Sequence, residues 1–168
     1  MSAAAHWLGC DVSTKKIALG VLRYDGRVDW DTIRLPPDLK GAQRNRVARG
    51  LLLDALDARW TGIDAAVIET PWAGGSASSW SLLSLAAVCA EAVQTARPGC
   101  IVLEYTAGTW KKDTVGHGNA TKDEVSAHVA AAHGYTGGDQ DVADALCMAE
   151  CARERWWRDI EPDERQVA

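Results

Sequence analysis

The stretch "LGCDVSTKKIALGVL", Leu8 to Leu22, limits the possible folds more than any other part of this chain. It opens as an apolar run, sets Asp11 where the run should stay buried, and resumes an apolar alternation that ends only at Tyr24. Alternation with a period of two is the signature of strands. A carboxylate at the end of a core strand is costly unless it is paired, protonated or bound to a cation. The sequence therefore predicts a sheet with a polar centre at one end, and the partners of Asp11 must come from elsewhere in the chain.

The segments that follow supply the rest of the sheet. Residues 7–11, 17–24 and 27–34 read as three strands, the last two joined by "YDGR", whose Asp-Gly pair suits a tight hairpin. After the breaker "LPPD", residues 40–60 carry Val47, Leu51, Leu52 and Ala55 at helical spacing, with Arg44, Arg46 and Arg49 mostly off that stripe. "DAAVIE" is a short buried strand ending in Glu69, and a Gly- and Ser-rich loop leads to a helix over 81–96. "CIVLEY" is a further strand, followed by a short helical turn over 107–112. Thr121 with Glu124 three residues on forms a capping box for a helix over 122–133, and a last helix runs over 141–158. Hairpin strands followed by alternating helix and strand predict an α/β fold, a mixed sheet with helices on both faces. The expected domain spans 1–158, with a flexible tail over 159–168.

Bulk properties exclude several classes. At 168 residues and 47% hydrophobic the chain can bury a full core without staples. No apolar run approaches the length of a membrane span, and the start lacks the pattern of a signal peptide, so a cytoplasmic protein is expected. Five cysteines without a CxxC pair fit reduced, buried thiols better than disulfides or zinc. The net charge of −5 argues against indiscriminate nucleic-acid binding, but residues 1–50 hold nine Lys or Arg against five Asp or Glu. A polyanion would find its attraction there, through Lys15, Lys16, Arg44, Arg46 and Arg49.

The last helix offers partners for Asp11. In "DVADALCMAEC", Asp141 and Asp144 share a face that continues as an apolar stripe. Placement at the positive end of the helix dipole would account for the pair alone. Together with Asp11 and Glu69 at strand ends, however, they make four carboxylates able to converge at the edge where sheets of this kind collect their chemistry. Such a cluster suits Mg2+ or Mn2+, which take oxygen ligands, and a pair of such ions can drive phosphodiester hydrolysis.

At these residues the chain resembles the RuvC family of Holliday junction resolvases, within the RNase H-like fold, phage-type members included. "GCDVSTKKIALGVL" is similar to the family's first strand pair, "AAVIETPW" to its second acidic strand, "WKKDTVGHGNATKDEV" to its glycine and lysine segment, and "DVADAL" to its terminal acidic helix. The resemblance implies that Asp11, Glu69, Asp141 and Asp144 are catalytic metal ligands for two Mg2+ ions, with Mn2+ able to substitute, leaving a 5′-phosphate and a 3′-hydroxyl. It places Lys111 and Lys122 near DNA or the active centre, and Trp72 on a loop beside the junction. Lys112 and His117 join them as candidate DNA contacts, His117 standing between Gly116 and Gly118 where an apolar residue is usual. It further implies branched DNA as substrate, a homodimer making paired nicks, no nucleotide cofactor, and a bacterial or phage-infected cell as setting. Three rivals remain. A YqgF-type RNA-processing nuclease has a similar opening strand, an actin- or sugar-kinase-like protein would need about twice this length, and a non-catalytic junction-binding module would not need all four acids.

Overall fold

The computed structural model describes residues 6–71 and 76–159. Trp72, expected beside the junction, and the tail over 160–168 lie outside the described residues. Five strands, β1 (His6–Val12), β2 (Lys16–Arg23), β3 (Val28–Arg34), β4 (Ile63–Glu69) and β5 (Ile101–Tyr105), form one sheet in the order β3-β2-β1-β4-β5. The first three run as an antiparallel meander, and β1, β4 and β5 are mutually parallel. Helices α1 (Gly41–Arg59) and α2 (Ala77–Ala96) cover one face, and α3 (Ala107–Thr114), α4 (Lys122–His133) and α5 (Gln140–Asp159) cover the other. The mixed sheet with helices on both faces, the RNase H-like arrangement, is the fold the sequence predicts.

Strand alternation divides the core into two layers. Leu8, Cys10, Ile17 and Leu19 face α1 and α2, whereas Trp7, Ala18, Leu22 and Val67 face the α3–α5 layer. Asp11 and Glu69, in phase with Trp7 and Val67, therefore point to the α5 side. Helix α5 is buried on most of its circumference, from Val142 and Ala143 through Leu146, Met148 and Ala149 to Cys151 and Ala152. It lies directly on β1 and β2 because those strands carry glycine where it crosses. A methyl group on Gly20 would stand 2.6 Å from the Leu146 backbone nitrogen, and one on Gly9 would meet the Ala145 carbonyl oxygen and stand 2.7 Å from the Ala149 nitrogen. No side chain fits between these backbones.

Local signals fix the element ends. The Thr121 hydroxyl accepts from the Glu124 N–H at 3.3 Å while the Glu124 carboxylate accepts from the Thr121 N–H at 2.7 Å, the reciprocal capping box. Gly134, left-handed at φ 70°, ends α4. Helix α3 runs to Thr114, two residues past the expected turn, and α2 starts at Ala77, four residues earlier than expected, capped by Ser76. All five cysteines are free and buried. Among the described residues no helix is long and apolar enough to cross a membrane.

One expectation for α1 is corrected. Its buried face is Arg44, Asn45, Ala48, Leu52 and Leu56, and Leu51 is exposed, so the helix is turned by about one position from the Val47–Leu51–Leu52–Ala55 stripe. Arg44, read as a DNA contact, is only 6% exposed and donates to the Ser81 hydroxyl at 2.7 Å, while the Asn45 amide donates to the Ser84 hydroxyl at 2.8 Å. A polar seam joins α1 to α2, and Arg44 belongs to it rather than to a surface that meets a polyanion.

Candidate active site

The register of β1 and β4 brings the first two acids together. Cys10 pairs with Ile68, so Asp11 and Glu69 are the next pair on adjacent parallel strands. The glycine seat under α5 then brings its first turns, with Asp141 and Asp144, over the same strand ends. Mutual electrostatics reports this convergence. Burial, then the charges of Glu69, Asp141 and Asp144, push Asp11 up to about 8, with Lys16 opposing. Burial likewise raises Glu69 and Asp144, each of which also senses the charge of Asp141. Acids scattered over separate surfaces would not perturb one another in this way.

Each acid except Asp11 has a specific neutral or cationic partner. The buried Trp110 indole N–H donates to Glu69 Oε2 at 2.8 Å, and the Gln140 amide donates to Asp144 Oδ1 at 2.8 Å. Lys16 Nζ lies 2.9 Å from Asp141 Oδ2 and 3.1 Å from Asp139 Oδ1. Among the described residues no three His, Cys, Asp or Glu groups stand at ligating distance around one point. The donor chemistry nevertheless fits hard divalent cations: carboxylate oxygens only, partly buried, with Asp11 pushed up first by burial and then by the neighbouring acids, against a smaller opposing effect of Lys16. A cation would replace partners that the side chains already have.

The basic positions divide into two groups. Lys111 donates to the Ala120 carbonyl at 3.1 Å, lies 5.4 Å from the Trp110 ring centroid, and its charge works against the upward shifts of Glu69 and Asp144. Lys122, in the exposed first turn of α4, also acts on Asp144. Both therefore add positive charge in the neighbourhood of the carboxylates. Lys112 is exposed on α3, Arg46 is exposed on α1, and Arg49 is bound to Glu91 of α2 at 2.7 Å. His117 is about half exposed and sits 3.5 Å from Glu124, which ties the glycine loop to the start of α4. Gly118 has a structural role: a methyl group there would come within 2.8 Å of the Gly108 carbonyl oxygen, where the loop crosses the start of α3.

Sequence reasoning gave no site role to Trp110, Gln140 or Asp139, and it read Lys16 as an attraction for a polyanion, whereas its ammonium is engaged by Asp139 and Asp141. Each of the four holds one of the acids or a neighbour, and only Gln140 lies on the same element as its acid. The one signal in the sequence was the acid at Asp139 two residues before Asp141.

Fold and site together define an RNase H-like protein with a carboxylate centre where β1, β4 and the start of α5 meet. The sequence comparisons carry this one step further. The chain is 36% identical over 154 residues to the crossover junction endodeoxyribonuclease RuvC of Bordetella avium, covering 86% of this chain and 81% of the relative. It is 30% identical over 155 residues to that of Maricaulis maris, covering 90% and 92%. The chain belongs to the RuvC family. The RuvC structure of Thermus thermophilus superposes with a TM-score of 0.72 at 21% identity over 93% of this chain and 96% of that one. The same protein in complex with a Holliday junction substrate gives 0.70 at 21% identity over 89% of this chain and 94% of that one. No family model matches the chain.

Proposed function

We propose that this protein is a divalent-cation-dependent endonuclease that resolves four-way DNA junctions, with Asp11, Glu69, Asp141 and Asp144 as its catalytic acids. The convergence of those acids from three separate elements carries the reading, and membership in a family of crossover junction endonucleases supports it. When bound, two Mg2+ ions, or Mn2+ in their place, supply activation of water and neutralisation of charge at the phosphate under attack, the hydrolysis that leaves a 5′-phosphate and a 3′-hydroxyl.

The chain's own residues prepare for that chemistry. Asp11, at the centre of the group, is the acid whose charge is most strongly suppressed and so gains most from a cation. The Trp110 indole fixes one oxygen of Glu69 and leaves the other without a hydrogen bond from it. Lys111 and Lys122 set positive charge beside the carboxylates, where a scissile phosphate would lie. Two symmetric nicks require two such centres, and a two-fold homodimer supplies them. Lys112, His117, Arg46 and Arg49 lie outside the acid cluster and are assigned to the DNA arms.

The test is cleavage of a synthetic four-way junction by purified protein, with and without Mg2+, beside a structured RNA of matched length. Paired nicks in the DNA that need Mg2+ and vanish in Asp11→Asn, with junction binding retained, are expected. RNA cleavage in place of junction cleavage would reject the reading, as would junction binding with no nicking under any cation.

A further inference from the structure

Lys16 and Asp139 stand outside the four acids, yet between them they hold one of the four. Lys16 opens β2 immediately after a turn in which Ser13 pins it: the Ser13 N–H donates to the Lys16 carbonyl at 2.9 Å, and the Lys16 N–H donates to the Ser13 hydroxyl at 3.1 Å. Strand alternation points its side chain to the α5 face, in phase with Ala18 and Gly20. There the ammonium lies 2.9 Å from Asp141 Oδ2 and within 3.1 and 3.2 Å of the two oxygens of Asp139.

The two acids are not equivalent. Asp139 caps α5: its Oδ1 accepts from the Asp141 N–H at 3.0 Å and its carbonyl from the Ala143 N–H at 3.1 Å, so its carboxylate is fixed to the helix end. The Asp141 carboxylate has no such backbone anchor among the described contacts and is held there by Lys16. An ammonium with three donors, bound to one acid anchored to the helix end and to another without that anchor, can let go of the second without losing the first.

We propose that Lys16, tethered by Asp139, is an internal counter-ion that occupies Asp141 until a divalent cation displaces it, and so sets the cation concentration at which Asp141 joins the centre. The inference rests on reading the centre as a divalent-cation site. Lys16 is here a positioning residue, acting on the reacting centre through Asp141. The groups concerned are one-quarter to two-fifths exposed, 24% for Lys16 against 38% and 33% for the acids, so the competition is that of a partly solvated ion pair. Its removal is worth roughly a five-fold change in cation affinity.

The experiment is calorimetric titration of the metal-free full chain with Mn2+, without DNA. Lys16→Gln should bind Mn2+ roughly five-fold more tightly than wild type, and Lys16→Arg, which keeps the charge, should stay near wild type. Asp139→Asn keeps the helix cap but strands the ammonium on Asp141, so it should bind Mn2+ more weakly, and that loss should disappear in the Lys16→Gln background. Unchanged or weaker binding by Lys16→Gln, with wild type binding normally, overturns the inference alone. So does an Asp139→Asn loss of equal size in both backgrounds, which would be a plain field effect. No Mn2+ binding by wild type overturns the cation centre itself.

Discussion

Substitution of Gly9 by alanine tests the structural basis of the whole site. The added methyl would overlap the Ala145 carbonyl oxygen and lie 2.7 Å from both the Ala149 nitrogen and Met148 Cβ, about 0.7 Å inside the 3.4 Å at which ordinary contact begins. Backbone cannot swing aside as a flexible side chain can, so α5 must lift from β1 by roughly that distance or more. Overpacking of this kind costs about 1–3 kcal/mol, which for a chain of this size lowers Tm by roughly 2–4 °C per kcal/mol. The same movement carries Asp141 and Asp144 away from Asp11 and Glu69, and a displacement near 1 Å in a catalytic constellation costs about 100-fold in rate. Gly9→Ala should therefore melt several degrees lower and lose junction cleavage out of proportion to its folded fraction. Gly50→Ala is the control: Gly50 lies inside α1 with nothing within 4 Å of a new methyl, and its replacement should stabilise by about 0.5–1 kcal/mol. Circular-dichroism melts, urea unfolding and a cleavage time course read all three proteins. A Gly9→Ala protein with wild-type Tm and wild-type cleavage would show that α5 does not rest on β1 in this way.

Three further predictions concern charge. Because the folded chain keeps a proton on Asp11 up to about 8 while the unfolded chain releases it near 3.8, metal-free protein should lose stability as pH rises through that interval. Asp11→Asn should flatten the dependence and melt above wild type at pH 8 in chelator, and parallel curves for the two proteins would count against a crowded carboxylate centre. Trp110→Phe removes the hydrogen bond that opposes the upward shift of Glu69, so the acidic limb of the cleavage pH profile should move to higher pH; an unmoved limb would separate Glu69 from the chemistry. Arg46→Glu with Arg49→Glu should weaken junction binding and reduce the slope of log affinity against log salt, whereas Arg44→Glu should instead cost stability by burying an unpaired acid between α1 and α2. Filter binding across a salt series separates these, and an unchanged slope in the double variant would turn α1 away from DNA.

What could be read from the sequence divides along physical lines. Short-range signals carried through: the Asp-Gly hairpin, the Thr121–Glu124 capping box, the period-two alternation that aimed Asp11 and Glu69 at one face. The four acids were legible because a charged group in an apolar run is conspicuous. Interactions between distant residues were not. Lys16 meets Asp139 across 123 positions, and no local pattern distinguishes it from a surface lysine. Arg44 was misread because an amphipathic stripe leaves the rotation of a helix open by one residue, and the hydroxyls of Ser81 and Ser84 decided it. Trp110 was expected only as part of a glycine and lysine segment, yet its indole reaches Glu69 across 41 positions.

The seat beneath α5 also imposes an order of events. The strands that receive the helix come first in the chain and the helix is the last of the described elements, so the seat at Gly9 and Gly20 is filled by a segment more than 120 residues further on. Two of the four acids arrive with that final helix. Pairing elements this far apart in the chain brings a long-range contact into the making of the site. For an enzyme of the proposed kind, the centre would be complete only once α5 has settled into that seat.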